Sequence, residues 1–170
     1  MLNLDSMIEI TPANKASDYI LIEDLADTIW REHYIPIVGK PQIDYMLDKF
    51  QSAKAISEQI EEEGFEYFIL FFDKIPAGYI AVKKEKEHLF LSKIYVLSSY
   101  RGKKIGKAAM LKTEEMAKAY HLKTIRLGVN INNTNSIKAY EKLGFKKVKT
   151  FITDIGNGFV MDDFIMEKKV

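Results

Sequence analysis

The stretch Val96-Leu97-Ser98-Ser99-Tyr100-Arg101-Gly102-Lys103-Lys104-Ile105-Gly106-Lys107 narrows what this chain can be. An apolar strand pattern precedes it and an amphipathic helical pattern follows it. The junction carries two glycines and four cations, Arg101, Lys103, Lys104 and Lys107. Glycine lets a backbone turn tightly and come close to a ligand. A helix start offers unpaired N–H groups and a partial positive charge, so it can hold an anion. The junction reads as a phosphate cradle; the plainer alternative is a solvated basic turn. The strand before it and the helix after it favour the cradle. A triphosphate loop needs G-x-x-x-x-G-K-[S/T]. Here Gly102 and Gly106 enclose one residue too few, and Ala108 stands where a magnesium-binding hydroxyl belongs. The dinucleotide pattern G-x-G-x-x-G is absent as well, so neither nucleotide class is favoured.

A length of 170 residues fits one domain with a substantial core. Hydrophobic content of 47% and charged content of 29% are those of a soluble globular protein. A net charge of +1 gives no general argument for nucleic acid or an anionic membrane. The absence of cysteine excludes disulfides, thiolate zinc sites and a cysteine nucleophile. It also fits a reducing compartment, the cytoplasm. Three scattered histidines lack metal-ligand spacing, so no metal is expected. The N-terminus shows no basic segment followed by an apolar run. The longest apolar run, Phe68 to Phe72, is far too short for a membrane span.

The chain reads as strand, helices, three strands, helix, strand, helix, two strands. Ile8 to Ile10 alternate and end at Pro12. Ser17 offers a helix cap, and Ile22, Leu25, Ala26, Ile29 and His33 follow at helical spacing. Pro36 and Gly39 break that pattern, and Pro41 opens a second helix. A third runs from Ser52 to Glu62. Phe65 to Phe72 and Ala77 to Lys83 form a hairpin around Asp73 to Pro76. His88 to Val96 is the next strand. Strict alternation puts Leu89, Leu91, Lys93, Tyr95 and Leu97 on one face. A helix from Ile105 to Tyr120, a strand from Thr124 to Val129 and a helix capped within Asn132 to Asn135 come next. Phe145 to Phe151 and Phe159 to Met166 are the last strands. The implied class is α+β, a mixed and mostly antiparallel sheet flanked by helices.

Arg101-Gly102-Lys103-Lys104-Ile105-Gly106 is similar to the Q/R-x-x-G-x-G/A signature of the GNAT superfamily of N-acetyltransferases. Asn133-Thr134-Asn135-Ser136-Ile137-Lys138-Ala139-Tyr140-Glu141-Lys142-Leu143-Gly144-Phe145 resembles that family's downstream signature. The two stand in the family's order and on the expected elements, and the resemblance covers most of the chain. One departure is Lys104 at the first glycine position, where it adds a cation beside phosphate. The resemblance implies the GNAT acyl-CoA N-acyltransferase fold in one domain, acetyl-CoA as cosubstrate and a primary amine as acceptor. It implies that the pyrophosphate lies on the N–H groups of Arg101, Gly102, Lys103, Lys104, Ile105, Gly106 and Lys107. The pantetheine arm then lies between the strands His88–Val96 and Thr124–Asn130, near Val96, Leu97 and Ser98. A backbone N–H near Val96 stabilises the oxyanion. Asn133, with Ser136, binds the cofactor arm.

Tyr140 corresponds to the family's tyrosine beside the sulfur, the catalytic candidate. An ordinary phenol pKa of about 10 keeps it protonated where a thiol of about 8.5 departs. The alternative is a core aromatic on the inner helix face. Asn133 likewise reads either as a cofactor ligand or as a plain helix cap. The general base stays open: Glu32, His33, Glu87 and His88 all read more readily as surface or packing residues, and Tyr95 as a packed strand aromatic. The region around the first helices is similar to that of bacterial spermidine/spermine acetyltransferases, which points to a small-molecule amine or polyamine acceptor. The competing readings are a protein N-terminal or lysine acetyltransferase, and a non-catalytic acetyl-CoA-binding regulatory module. A homodimer is compatible with the resemblance.

Overall fold

The computed structural model describes residues 7–170; the N-terminal stretch read above for a leader includes residues 1–6, outside that range. The elements are β1 (Ile8–Pro12), α1 (Ala16–Val38), α2 (Lys40–Gln51), α3 (Ala53–Glu62), β2 (Phe65–Phe72), β3 (Ile75–Lys84), β4 (Leu89–Val96), α4 (Ile105–Ala119), β5 (Thr124–Asn130), α5 (Thr134–Lys142), β6 (Lys146–Gly156) and β7 (Phe159–Lys169). The strands form one sheet in the order β1-β2-β3-β4-β5-β7-β6. Every neighbouring pair is antiparallel except β4 with β5. This is the mixed, mostly antiparallel α+β sheet expected. Among the described residues no helix is long and apolar enough to cross a membrane.

Each face of the sheet buries its own core. On one face α4 and α5 pack Ile105, Ala109, Met116 and Ile137 on Leu89, Leu91, Ile125 and Leu127. On the other, α1, α2 and α3 pack Ile22, Trp30, Ile43 and Ile56 on Tyr67, Ile69 and Tyr79. A buried hydrogen-bond chain ties this second layer down. Trp30 Nε1 donates to the Tyr79 hydroxyl at 2.9 Å, which donates to Gln51 Oε1 at 2.6 Å. Gln51 Nε2 donates to the Tyr67 hydroxyl at 3.0 Å. The Tyr67 hydroxyl in turn donates to Gln59 Oε1 of α3 at 2.5 Å; buried polar groups are tolerable when paired, and these pairs fix three helices on two strands.

Several local features depart from the sequence reading. Pro36 does not end α1, which continues to Val38. A proline so near a helix end removes one bond from a turn that frays anyway. Ile35 and Val38 keep that turn packed on the core. Ser17 lies inside the helix, after Lys15 at the cap position. The hairpin turn is only Asp73-Lys74, both at positive φ, so Ile75 and Pro76 belong to β3. The last two strands are longer than their apolar patterning.

Strand β4 departs from strict alternation. Ala81 pairs with Lys93 but Val82 pairs with Leu91, so Ser92 is an extra residue, a β-bulge. The bulge shifts the alternation by one. Leu89 and Leu91 share a face with Ile94 and Val96, whereas Tyr95 and Leu97 turn to the helices α1 to α3. Strict alternation had placed all the odd positions together.

Beside the end of β4, β3 comes so near that only glycine fits. A Cβ on Gly78 would lie 2.1 Å from the Tyr95 carbonyl oxygen and 3.0 Å from Val96 Cα. Backbone must then move, so Gly78→Ala is expected to destabilise by about 1–3 kcal/mol, the range for overpacking. Denaturant unfolding checks this, and an unchanged midpoint refutes it.

Candidate active site

Parallel pairing of β4 with β5 is short. Leu89 faces Ile125 and Phe90 faces Arg126, and there the ladder stops. Beyond that point the strands splay, and a cleft of about 390 Å³ opens between them. Leu97 N–H donates to the Ala77 carbonyl on β3 at 2.8 Å. Backbone N–H groups alternate sides along a strand, so the Val96 N–H points to the splayed side.

The far end of the cleft meets the loop before α4. Gly102 has φ 79 and Lys104 φ 65, both left-handed. Lys104 is the residue before the first turn of α4, and no side chain caps that turn. Its positive φ explains why a glycine suits this position, and a lysine there costs roughly 1–2 kcal/mol of strain. Lys104 lines a groove between α4 and β1, with Ile8, Ile10 and Leu111, rather than the cleft. Gly106 has an ordinary helical backbone, and a Cβ built on it meets nothing within 4 Å beyond its chain neighbours and the backbone of its own helix. Arg101 lines the cleft. Lys104→Gly relieves the strain but loosens the unfolded chain by ~0.5–1 kcal/mol. The net expectation is a gain of up to about 1 kcal/mol, a rise of a few degrees in Tm. Scanning calorimetry reads it, and a lower Tm counts against a strained Lys104.

On the other wall stand Asn133, Ser136 and Tyr140, together in the cleft lining. Asn133 is buried and caps α5, its Oδ1 accepting from Ser136 N–H at 3.4 Å. Its Nδ2 faces His33 Nε2 at 2.9 Å. The amide donates, so the ring accepts and carries its proton on Nδ1. Burial, and then the nearby Arg101 cation, lower the His33 pKa and keep the ring neutral. Tyr140 packs edge-on to Phe145 with ring centroids 5.7 Å apart. Burial, and then Tyr34, raise its pKa well above that of an ordinary phenol, so it holds its proton. Glu32 is exposed.

A second cavity of about 240 Å³ lies on the α1–α2 side of the sheet. It shares Tyr34, Ser92, Lys93, Tyr95 and Gly128 with the cleft, so the two lie side by side. Tyr34 and Tyr95 join their hydroxyls at 2.8 Å, and Trp30 lies 5.7 Å from each ring. Burial raises the Tyr34 pKa to about 12. Tyr95 is thus packed, as read from the sequence, yet it also faces both cavities. Lys93 and Asp163 line this second cavity and were passed over in the sequence. The available signal was a charged residue inside each apolar strand. Among the described residues no group of three or more His, Asp or Glu is placed to hold a metal.

Comparison with known proteins agrees with this geometry. The Acetyltransferase (GNAT) family profile matches residues 22–145. The spermidine N(1)-acetyltransferase of Thermoplasma acidophilum is 29% identical over 158 residues, spanning 87% of this chain and 92% of that protein. An N-alpha-acetyltransferase of Saccharolobus solfataricus is 32% identical over 107 residues, 54% of this chain and 63% of that protein. The crystal structure of the PaiA N-acetyltransferase of T. acidophilum in complex with coenzyme A superposes with a TM-score of 0.79 at 26% identity, covering 96% of this chain and 99% of that one. The ribosomal-protein-S18-alanine N-acetyltransferase of Escherichia coli shares the fold, with a TM-score of 0.71 at 18% identity over 96% of this chain and 94% of that one. Splayed strands, an uncapped helix start and a sequence match over most of the chain lead to one assignment: the protein belongs to the GNAT acetyltransferase family, enzymes that move acetyl from acetyl-CoA to an amine.

Proposed function

We propose that the chain acetylates the primary amine of a small molecule by direct attack within a ternary complex. The observation that carries this reading is the adjacency of the two cavities, which share Lys93 and Tyr95 of β4 and Gly128 of β5 in their walls. One cavity suits the cosubstrate and the other the acceptor, and they meet where the reacting atoms must meet. A partly enclosed volume of about 240 Å³ fits a small molecule better than a peptide chain.

Acetyl-CoA supplies the activated thioester. The N–H groups from Arg101 to Lys107 hold its pyrophosphate, with Arg101, the loop cation that lines the cleft, adding charge. The free edge of β4 at Val96, continued by Leu97 and Ser98 just beyond the strand, takes the amides of the arm, and Asn133 and Ser136 hold it from the opposite wall. The Val96 N–H donates to the carbonyl oxygen as negative charge builds there. The amine nitrogen bonds to the carbonyl carbon as the carbon–sulfur bond breaks. Tyr140 gives its proton to the departing sulfur and regains one from the solvent, while the new amide loses one. No cysteine is available to carry the acetyl group.

A polyamine is a second reading, supported by the name of the Thermoplasma relative. Acetyl-CoA consumption against small amines, spermidine and N-terminal peptides tests the function, with intact mass measured after acetyl-CoA alone. Turnover is expected with small amines, with no adduct that discharges on adding amine. Turnover confined to peptides, or such an adduct, overturns the proposal.

A further inference from the structure

Two charged side chains stand in the largely aromatic and aliphatic second cavity, on opposite sides of β5. Lys93 belongs to β4 and Asp163 to β7, and β5 lies between those strands. Gly128 of β5 forms the floor between them. A Cβ there would sit 3.6 Å from an Asp163 carboxylate oxygen, so the missing side chain keeps the floor open. Among the described residues neither charge takes part in an ion pair. Lys93 Nζ donates to Ser92 Oγ at 2.8 Å and lies 5.9 Å from the Phe65 ring centroid.

Burial lowers the Lys93 pKa to about 8, against a smaller opposing effect of Glu63. Burial, and then Asp162, raise the Asp163 pKa to about 6. Both groups are still mainly charged at neutral pH. Partly desolvated charges without an ionic partner are costly. A ligand carrying both opposite charges relieves both costs at once.

We propose that the acceptor is an amine that also carries an anionic group, its ammonium received by Asp163 and its anion by Lys93. This rests on the acetyl-transfer reading above and narrows its acceptor class to amino carboxylates and their like. A diamine or polyamine satisfies Asp163 but brings a second cation towards Lys93, where like charges repel. The bulge at Ser92 brings this about: it turns Lys93 and Tyr95 to the acceptor side while Leu91 stays in the opposite core.

The test compares a ladder of linear amino carboxylates with diamines of matching length, using the full chain and saturating acetyl-CoA. Wild-type kcat/KM is expected to favour the best amino carboxylate over its matching diamine by about tenfold or more. Lys93→Met should lower the amino carboxylate value and raise the diamine value. Lys93→Arg should retain the preference, and Asp163→Asn should weaken both series. Equal or better use of diamines by the wild type, or an equal loss of both series in Lys93→Met, overturns the assignment. Calorimetric titration of the CoA-saturated protein with the same two series decides the matter without turnover. Binding that prefers amino carboxylates with no acetylation of anything would keep this assignment and sink the activity. Turnover that prefers diamines would do the reverse.

Discussion

Gly106→Val leaves the protein folded and removes most of its affinity for coenzyme A. Gly106 is the second residue of α4, with ordinary helical backbone, and a Cβ on it reaches nothing within 4 Å beyond its chain neighbours and the backbone of its own helix. Valine has a slightly better helix propensity than glycine, so the fold loses nothing through the backbone. The cost falls on whatever occupies the open space beside the helix start. A branched side chain there stands between an anion and the first N–H groups of the helix. Losing one or two charge-assisted hydrogen bonds, at ~1.5–3 kcal/mol each, weakens binding on the order of tenfold to ten-thousandfold. Titration calorimetry with coenzyme A gives the affinity, and thermal unfolding of the free protein gives the stability. A folded variant with wild-type affinity would take the phosphate role away from this loop.

The architecture was legible because its signals were local. An apolar run and the turn after it marked the hairpin of β2 and β3, and Ser52 marked a helix start, its side chain accepting from Ala55 N–H at 3.1 Å. The bulge at Ser92 was not legible. Nothing in Leu91-Ser92-Lys93 distinguishes a regular pleat from a doubled residue, since the difference lies in pairing with a strand elsewhere in the chain. That one residue decides which face Tyr95 and Leu97 occupy. Pro36 failed for a related reason. Local chemistry argues for a break, but the packing of Ile35 and Val38 outweighs it.

For the candidate site the division is similar. The loop from Arg101 to Lys107 and the run from Asn133 to Tyr140 are contiguous in sequence, so motif spacing found them. His33 meets Asn133 across 100 positions, and Asp163 meets Gly128 through strand pairing. No periodicity in either segment carries that information. Lys93 and Asp163 were visible only as charges inside apolar strands, a pattern that ordinarily means a solvated face. Here it marks a cavity, because β5 pairs with β4 over only two residues and leaves the sheet open beyond them.

Tyr140→Phe is expected to lower kcat on the order of a hundredfold or more, the usual cost of a lost positioned acid. The substitution removes a hydroxyl and keeps the ring. The ring holds the packing, edge-on to Phe145 at 5.7 Å and against the core under α4 and α5. No hydrogen bond to a protein group is lost, because the hydroxyl faces the cleft rather than a fixed partner among the described residues. The melting temperature should therefore move little. Burial holds the Tyr140 proton firmly, which suits a group that must stay protonated until a thiolate develops beside it. In the proposed role the hydroxyl acts on charge absent from the bound ground state, so the loss belongs in kcat and coenzyme A affinity should change far less. Steady-state rates at saturating substrate, with single-turnover rates to isolate the chemical step, separate these quantities. A stable Tyr140→Phe protein whose chemical step runs at the wild-type rate returns Tyr140 to packing alone. The protonation of sulfur would then have to come from solvent entering through the mouth of β4 and β5.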